Sequence, residues 1–296
     1  MTKDSFRKEI EERIRLFDGA MGTELRKRGL AAGEAPESWN LSRSEDVQAV
    51  HGAYAKAGSD ILTTNSFGGS RIKLARYGLE NKTSLINCQA AALAVREARN
   101  GLRVAGSIGP TGEFLEPLGT LKPDVLRDVF REQAEALLEG GADFILVETM
   151  SDLGEARMAV EAVLGLGDVP VVACMTFLPS RVGFRTMMGV SPEQAAFGLV
   201  EAGADGIGAN CGSGIDHFIP IIREIRSLTD RPILAQPNAG LPRLEAGKTV
   251  YPETAEDMAR RLSELVEAGA RMVGGCCGTT PEHIRMFRSI LDGTGS

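Results

Sequence analysis

Three of the five cysteines in this chain lie where short apolar segments end. Cys211 follows one such segment, and Cys276 and Cys277 stand side by side after another. Cysteine thiolates are common zinc ligands, and a catalytic zinc takes three protein ligands while a fourth position stays open for substrate or water. These residues are therefore the strongest candidates for chemistry, and the chemistry they suggest is that of a catalytic zinc.

The adjacent pair requires an irregular backbone. Successive side chains of a regular strand point to opposite faces, so Cys276 and Cys277 cannot both reach one metal from a strand. Gly274, Gly275 and Gly278 flank the pair and supply the backbone freedom to turn both sulfurs inward. Three other interpretations stay open on these residues alone: inert buried thiols, a strained vicinal disulfide, or a glycine-rich turn that binds phosphate.

The other two cysteines are expected in the core. Cys88 falls in a helical stretch and Cys174 within an apolar segment, where cysteine behaves as a small hydrophobic residue. An odd number of cysteines in a chain of 296 residues does not suit a disulfide framework.

A repeated turn indicates the elements that would position these residues. A helical pattern ends at a glycine and an apolar segment follows, at 57–60, 140–143, 202–205 and 268–271. Glycine is typical of the left-handed residue that ends a helix. The copies are 83, 62 and 66 residues apart, which is too long for one strand–helix unit and suits two.

Four further apolar segments lie between these copies and bring the number of strands to eight; they begin at Arg15, Arg103, Val171 and Ile233. Near-continuous apolar strands indicate a parallel sheet that is buried on both faces. We therefore predict an α/β fold, a (β/α)8 TIM barrel that occupies residues 1–296 as one domain, with a short helix before the first strand. A doubly wound open sheet is the alternative, although the segment 18–22 lacks the G-x-G-x-x-G turn that such a fold normally carries.

Polar side chains follow nearly every predicted strand. In a barrel of this type the active site lies at the carboxyl ends of the strands. The residues found there are Asp18, Asn65, Ser107, Glu148, Thr176, Asn210, Cys211, Asn238, Cys276 and Cys277. Strand ends are often polar because loops are in water, but that explanation does not account for three cysteines in the set. The pattern predicts a small-molecule active site that holds zinc.

Charge and hydropathy exclude several classes of function. Lys plus Arg amount to 33 and Asp plus Glu to 40, a formal net charge of −7, so the chain has no general attraction to nucleic acids or anionic membranes. No apolar run approaches the roughly 20 residues of a membrane span. The segment 1–15 is charged and lacks the apolar core of a secretory signal. We expect a cytoplasmic enzyme without nucleic-acid or membrane partners.

The segment from Gly274 to His283, GGCCGTTPEH, resembles the homocysteine S-methyltransferase family, the zinc-dependent (β/α)8 barrels. That family includes the N-terminal module of cobalamin-dependent methionine synthase, the betaine-dependent enzyme and the S-methylmethionine-dependent enzymes. Further motifs of the family occur in the expected order, so that the resemblance covers almost the whole chain; they lie at 17–23, 64–67, 109–112, 148–149, 210–211 and 237–240. The segment 109–112, followed by 117–119, is most similar to the methionine synthase module.

The resemblance implies a set of metal ligands. Cys211, Cys276 and Cys277 match the family's zinc ligands, and Asn238 matches a residue that can take the fourth zinc position when the substrate thiol is absent. The implied cofactor is Zn²⁺, with cobalamin carried only by a partner protein, and the three cysteines are the implied catalytic residues.

The resemblance also implies substrate contacts. Asp18 and Glu148 match residues near the ammonium group of the substrate, and the N–H groups of Gly19 and Ala20 match the site that receives its carboxylate. Asn65, within the motif 64–67, is expected to contact the substrate as well.

From the resemblance we expect a zinc-dependent methyltransferase that moves a methyl group to the thiol of homocysteine, or of a related small thiol, to give methionine. The expected donor is methylcobalamin on a separate corrinoid protein, and a small sulfonium such as S-methylmethionine is the alternative donor. Two interpretations from other classes stay open: a barrel lyase or isomerase that binds phosphate after the eighth strand, and a binding module that zinc only stabilises.

Overall fold

A computed structural model describes residues 1–99, 101–245 and 248–293 of the chain. Its strands alternate with helices along almost the whole sequence. In chain order the strands are β1 Arg15–Leu16, β2 Ile61–Thr63, β3 Arg103–Ile108, β4 Phe144–Met150, β5 Val171–Met175, β6 Leu178–Ser180, β7 Gly183–Arg185, β8 Gly206–Asn210, β9 Ile233–Gln236, β10 Arg243–Glu245, β11 Lys248–Val250 and β12 Met272–Val273.

Eight of these strands form one parallel sheet in the hydrogen-bonded order β1–β12–β9–β8–β5–β4–β3–β2. A parallel bridge between Phe17 and Ile61 joins the chain after β1 to β2 and closes the sheet on itself. The predicted α/β barrel is therefore confirmed, with all eight of its strands where the sequence placed them. The open-sheet alternative is wrong, because a closed sheet has no edge strands.

Helices surround the barrel. They are α1 Lys3–Glu12, α2 Met21–Lys27, α3 Trp39–Ser42, α4 Ser44–Ala57, α5 Arg71–Ala75, α6 Thr83–Glu97, α7 Pro123–Glu139, α8 Leu153–Leu164, α9 Pro192–Glu201, α10 Ile215–Arg226, α11 Ala255–Glu267 and α12 Pro281–Gly293. The predicted helix before the first strand is α1. The repeated turn behaves as predicted, since its glycines are left-handed at the helix ends; Gly58 and Gly203 have φ angles of 100° and 93°.

Apolar side chains fill the amino-terminal end of the barrel. Phe6 and Ile10 of α1 are buried and pack with inward-facing strand residues, which include Phe144 and Cys174. The rings of Phe6 and Phe144 lie 5.1 Å apart between centroids. Because this end is closed by hydrocarbon, polar groups inside the barrel gather at the carboxyl ends of the strands.

The two cysteines expected in the core differ in burial. Cys174 is fully buried on β5, as predicted. Cys88 is only half-buried on α6, so its placement in the core is wrong in part. A helix on the outside of a barrel has one face toward the strands and one toward solvent, and Cys88 lies between the two.

Two short hairpins were not predicted. The antiparallel pair β6–β7 follows the fifth barrel strand, and the pair β10–β11 follows the seventh. Both therefore lie on loops at the carboxyl end of the barrel. Three-residue strands such as Leu178–Ser180 are exposed along their whole length and carry no apolar pattern that a sequence analysis could detect.

Within the described part of the chain, no helix is both long and apolar enough to cross a membrane. The expected cytoplasmic location and the expected lack of nucleic-acid partners stay predictions.

Candidate metal and substrate site

The three predicted cysteines converge at the carboxyl end of the barrel. The Sγ atoms of Cys211, Cys276 and Cys277 all lie within 4.8 Å of one another, and those of Cys211 and Cys277 are 4.0 Å apart. Around a tetrahedral zinc with Zn–S distances of about 2.3 Å, sulfurs are about 3.8 Å apart. Among the described residues, no other group of three cysteine, histidine or acidic side chains comes as close together. The donor atoms and their spacing thus fit zinc.

Cys211 reaches this position through an unusual backbone conformation. It follows β8 with a φ of 63°, in the left-handed region that residues other than glycine rarely adopt. Its N–H donates to the carbonyl oxygen of Gln236 at 3.0 Å, and its own carbonyl oxygen accepts from the N–H of Ser213 at 2.9 Å. These bonds hold the turn that directs the thiol into the barrel mouth.

The adjacent pair is held by its own backbone hydrogen bonds. The N–H of Cys276 donates to the carbonyl oxygen of Pro237 at 2.8 Å, and the carbonyl oxygen of Cys277 accepts from the N–H of Ala239 at 3.0 Å. The glycines matter as predicted, and close packing adds a second reason. A Cβ atom at Gly275 would collide with Thr279, and one at Gly278, whose φ is 84°, would collide with the ring of Tyr251.

Hydrogen bonding among the three thiols shifts their pKa values in different directions. Contacts from the Cys211 and Cys276 thiols lower the pKa of Cys277 to about 3. The pKa of Cys276 is raised well above its ordinary value by the contacts with Cys211 and Cys277 and by burial. For Cys211, the lowering by Cys276 is outweighed by Cys277 and burial, which raise its pKa to about 11. These shifts favour one thiolate among the three cysteines, and a bound cation would favour ionisation of the other two.

Asn238 brings a spare oxygen to the same region. Its N–H donates to the carbonyl oxygen of Ser213 at 3.0 Å, and the next residue, Ala239, is bonded to Cys277. The side chain is buried, and its Oδ1 has no hydrogen-bond partner among the described residues. An unpaired buried oxygen costs about 1–3 kcal/mol. An amide oxygen can ligate zinc, and the fourth position of Asn238 at the metal stays a prediction.

Asp18 is a buried carboxyl group and Glu148 is a half-buried one, and neither forms an ion pair within the described chain. Oδ2 of Asp18 accepts from the N–H of Thr63 at 2.7 Å. Oε1 of Glu148 accepts from the hydroxyl of Ser107 at 2.5 Å, and Oε2 accepts from Nδ2 of Asn210 at 3.0 Å. No lysine, arginine or histidine of the described chain forms an ion pair with either group.

Burial governs the acidity of both carboxyl groups. It raises the pKa of Asp18 to about 7, and the charge of Glu148 adds to this shift. Burial likewise raises the pKa of Glu148 to about 7, against the hydrogen bond from Ser107, which lowers it. A ligand that brings a positive charge would stabilise the ionised form of both groups.

The predicted carboxylate site is only partly free. The N–H of Ala20 already donates to Oγ1 of Thr279 at 3.2 Å, whereas the N–H of Gly19 has no acceptor among the described residues. A Cβ atom at Gly19 would come within 2.7 Å of Oγ1 of Thr279 and 2.9 Å of the Tyr54 hydroxyl. Glycine is therefore required here for close approach, and binding of a carboxylate by Gly19 and Ala20 stays a prediction.

Asn65 is buried, but its amide nitrogen faces a neighbouring segment. Nδ2 donates to the carbonyl oxygen of Pro36 at 2.8 Å and to Oδ1 of Asn40 at 3.0 Å. The structure thus uses Asn65 to hold the segment 36–40 against the end of β2. A contact between Asn65 and the substrate stays a prediction.

Two residues of the site were not identified as such from the sequence. Asn210 was noted only as a polar strand end, yet its amide bonds Glu148. Tyr251 had no signal in the sequence; its ring packs on Gly278, and its hydroxyl helps to lower the pKa of Cys277. Only the folded chain brings these residues to the cysteines, from different strands and loops.

The turn after β12 offers little to a phosphate group. The N–H groups of Gly274, Gly275, Cys276, Gly278 and Thr279 all donate to acceptors of the protein itself. A phosphate-binding turn presents such groups to its ligand instead. The vicinal disulfide is not formed either, since all five cysteines are free thiols.

The sequence profile described as homocysteine S-methyltransferase matches residues 15–291. The chain belongs to the homocysteine S-methyltransferase family. The resemblance drawn from the double-cysteine segment is thereby confirmed, and with it the assignment to a family of methyltransferase enzymes.

Two bacterial methionine synthases are among the relatives of this family member. The protein of Mycobacterium leprae (strain TN) is 34% identical over 308 residues, which cover 96% of this chain and 25% of that protein. The protein of Mycobacterium tuberculosis (strain ATCC 25618 / H37Rv) is 35% identical over 295 residues, which cover 93% of this chain and 24% of that protein. The chain thus spans about a quarter of the length of these relatives.

Solved structures share the barrel. The metallated form of the homocysteine methyltransferase MmuM from Escherichia coli has a TM-score of 0.79 at 24% identity and covers 93% of this chain and 96% of its own. The oxidized form of MmuM has a TM-score of 0.78 at 26% identity, with coverages of 93% and 95%. The carboxyl transferase domain of Rhizobium etli pyruvate carboxylase, 16% identical with a TM-score of 0.54 over 99% of this chain and 50% of its own, shares the fold alone.

Proposed function

We propose that residues 1–296 form one barrel that binds homocysteine and transfers a methyl group to its thiol, which gives methionine. The observation that carries this proposal is the presence of three clustered sulfurs and of two carboxyl groups, Asp18 and Glu148, that form no ion pair within the described chain and whose pKa values burial raises to about 7, at one barrel mouth. The sulfurs suit a zinc ion and the carboxyl groups suit an ammonium group. Homocysteine presents a thiol and an ammonium group in one small molecule, and membership of the family supports it as the substrate.

The cysteines and Asn238 provide the metal site in this proposal. Cys211, Cys276 and Cys277 would hold Zn²⁺, and Oδ1 of Asn238 would take the fourth position in the absence of the substrate thiol. Zinc lowers the pKa of a coordinated thiol, so the substrate sulfur would react as a thiolate near pH 7. The MmuM structure described as metallated supports a metal site in this fold.

The carboxyl groups fix the substrate. Asp18 and Glu148 would accept charge-assisted hydrogen bonds from the ammonium group and lose their protons as the cation binds. With its headgroup held, the substrate can direct its sulfur toward the open mouth of the barrel. A lone pair of the sulfur forms the new C–S bond, and the bond between the methyl group and its donor breaks with both electrons left on the donor. Alignment of these atoms is the main contribution of the chain to the rate.

We infer that the donor is methylcobalamin on a separate corrinoid protein. The relatives described as methionine synthases are 34% and 35% identical to this chain, compared with 24% and 26% for the two MmuM structures. Large apolar side chains are exposed on three loops at the barrel mouth, as expected for contact with another protein; they are Phe114, Leu118, Val182, Met187 and Leu244. S-methylmethionine or another small sulfonium is the alternative donor.

Methionine formation from each donor tests this function. Zinc-loaded protein and homocysteine would be supplied either with methylcobalamin, free or on a corrinoid protein, or with S-methylmethionine. We expect methionine with methylcobalamin and a faster reaction when a corrinoid protein carries it. Turnover with the sulfonium alone would overturn the corrinoid donor. Binding of zinc and thiol without turnover from either donor would indicate a binding module instead.

A further inference from the structure

Two strained residues flank the site. In the described part of the chain, Thr149 and Cys211 are the only residues other than glycine with a positive φ, at 59° and 63°. Thr149 directly follows Glu148, and Cys211 directly follows Asn210. Such conformations persist only where the surrounding structure holds them. Thr149 and Cys211 must therefore be held by the contacts of neighbouring residues.

The side-chain amide of Asn210 lies between the two strained positions. Its Nδ2 donates to Oε2 of Glu148 at 3.0 Å and to Oγ1 of Thr149 at 2.7 Å, and its Oδ1 accepts from the N–H of Thr149 at 2.7 Å. Asn210 is fully buried, so its amide group is shielded from water. One amide therefore holds both the carboxyl group of Glu148 and the backbone of the residue after it.

The same residue sets the start of the cysteine turn. Asn210 ends β8, and its carbonyl oxygen accepts from the hydroxyl of Thr176 at 2.9 Å. Cys211 begins its left-handed turn at the next peptide group. A displacement of Glu148 would pull on the Asn210 amide and through it on the backbone that positions the Cys211 thiol. A displacement of the Cys211 backbone would act on Glu148 through the same contacts.

We propose that Asn210 is a positioning residue that couples the amino-acid headgroup to the metal site. An ammonium group held at Glu148 stabilises the Glu148–Asn210 bond and thereby the left-handed Cys211, so headgroup and metal each tighten the binding of the other. Such coupling is reciprocal by thermodynamic necessity. The inference rests on the proposed function, because it takes Glu148 as the ammonium contact and Cys211 as a metal ligand.

Zinc affinity with and without a thiol-free headgroup tests the coupling. L-2-Aminobutyrate carries the ammonium and carboxylate of homocysteine but no sulfur, so it cannot ligate the metal through a thiol. The zinc dissociation constant of the full chain would be measured against a competing chelator. In the wild-type chain, saturating L-2-aminobutyrate is expected to lower this constant about 5- to 10-fold, the lower range of measured couplings.

Asn210→Asp is the decisive variant. It keeps the size of the side chain and an oxygen for the Thr149 N–H, but it removes the donor to Glu148. We expect the effect of L-2-aminobutyrate on zinc affinity to fall below twofold. Asn87→Asp is the matched control, since it makes the same change at a buried amide of α6 whose Nδ2 donates to the carbonyl oxygens of Gly69 and Thr83; it should keep the coupling. If Asn210 gave only structural support, its replacement would weaken the binding of zinc and of L-2-aminobutyrate. The ratio of the zinc dissociation constants without and with L-2-aminobutyrate would then stay unchanged.

Several results would overturn the inference. An unchanged coupling ratio in Asn210→Asp would do so, as would a wild-type chain that binds zinc and homocysteine without any coupling. If Asn210→Asp fails to fold, Asn210→Ser gives the same comparison with no added charge. A wild-type chain that binds neither zinc nor homocysteine would remove the proposed function and this inference with it.

Discussion

Replacing Cys277 by serine is expected to weaken zinc binding by at least about a hundredfold and to reduce methyl transfer in proportion. Loss of a residue that only supports a metal ligand costs about 10- to 100-fold in affinity, and Cys277 would be a ligand itself. A serine hydroxyl in its place would stay neutral. Zinc content by mass spectrometry and methionine formation would be measured on the same preparation.

Cys88→Ser is the matched control for this variant. Cys88 is half-buried on α6, on the outside of the barrel, and we expect its replacement to leave zinc content and turnover as in the wild-type chain. Full zinc and full turnover in Cys277→Ser would contradict the metal assignment. A barrel lyase or isomerase would instead hold no stoichiometric zinc and would keep its own activity in Cys277→Ser, because the double cysteine would have no catalytic task.

Replacing Glu148 by glutamine is expected to lower kcat/KM for homocysteine about a hundredfold while zinc stays bound. Glutamine preserves both hydrogen bonds, because its oxygen accepts from Asn210 and its NH₂ group donates to the Ser107 hydroxyl. Only the negative charge is lost. Breaking a fully buried ion pair costs about 3–5 kcal/mol, and the loss here is smaller because Glu148 is half-buried and Asp18 retains part of the interaction. A rate ratio of one hundred corresponds to about 2.7 kcal/mol.

A thiol without an amino group isolates the role of that charge. For 4-sulfanylbutanoate, which is homocysteine without its ammonium group, we expect wild type and Glu148→Gln to differ by less than about twofold. Equal losses for both thiols would show that Glu148 does not contact the ammonium group.

The pH dependence of thermal stability shows whether the Glu148→Gln variant loses activity through misfolding. Burial raises the pKa of Glu148 from its ordinary value of 4.5 to about 7, so the folded chain retains this proton longer than the unfolded chain does. Ionisation of Glu148 therefore costs stability as the pH rises from about 4.5 to about 7. Without substrate, Glu148→Gln should have a higher melting temperature than wild type at pH 8. The difference in melting temperature should be smaller at pH 5. Glu139→Gln, at an exposed position of α7, should show no such trend.

The barrel was predictable because its signals are local. Each strand is a short apolar segment, and the turns before four of them contain a glycine that must be left-handed, as at Gly58. The hairpins β6–β7 and β10–β11 were missed because strands of three residues are too short to show a periodic pattern. Their pairing depends on the loop in which they lie, which the sequence alone does not specify.

The sequence predicted which side chains could ligate a metal, but it did not predict the hydrogen bonds that position them. Cysteine side chains and flanking glycines pointed to a metal at the double-cysteine turn, and the structure brings Cys211 to it. The left-handed backbone at Cys211 and Thr149 had no such signal, because glycine is the residue expected there. The bonds of Asn210 to Glu148 join strands β8 and β4, which are 62 residues apart at this point. Such contacts become visible only when the barrel is closed.

Zinc X-ray absorption of the reduced wild-type protein tests whether the three cysteines hold a zinc that binds the substrate sulfur. We expect one zinc per chain with three sulfur neighbours at about 2.3 Å and one oxygen neighbour in the absence of substrate. On addition of homocysteine, the oxygen should be replaced by a fourth sulfur. Reduced protein that contains no zinc yet forms methionine, or a zinc whose number of sulfur neighbours does not change with homocysteine, would rule out the proposed zinc-bound thiolate.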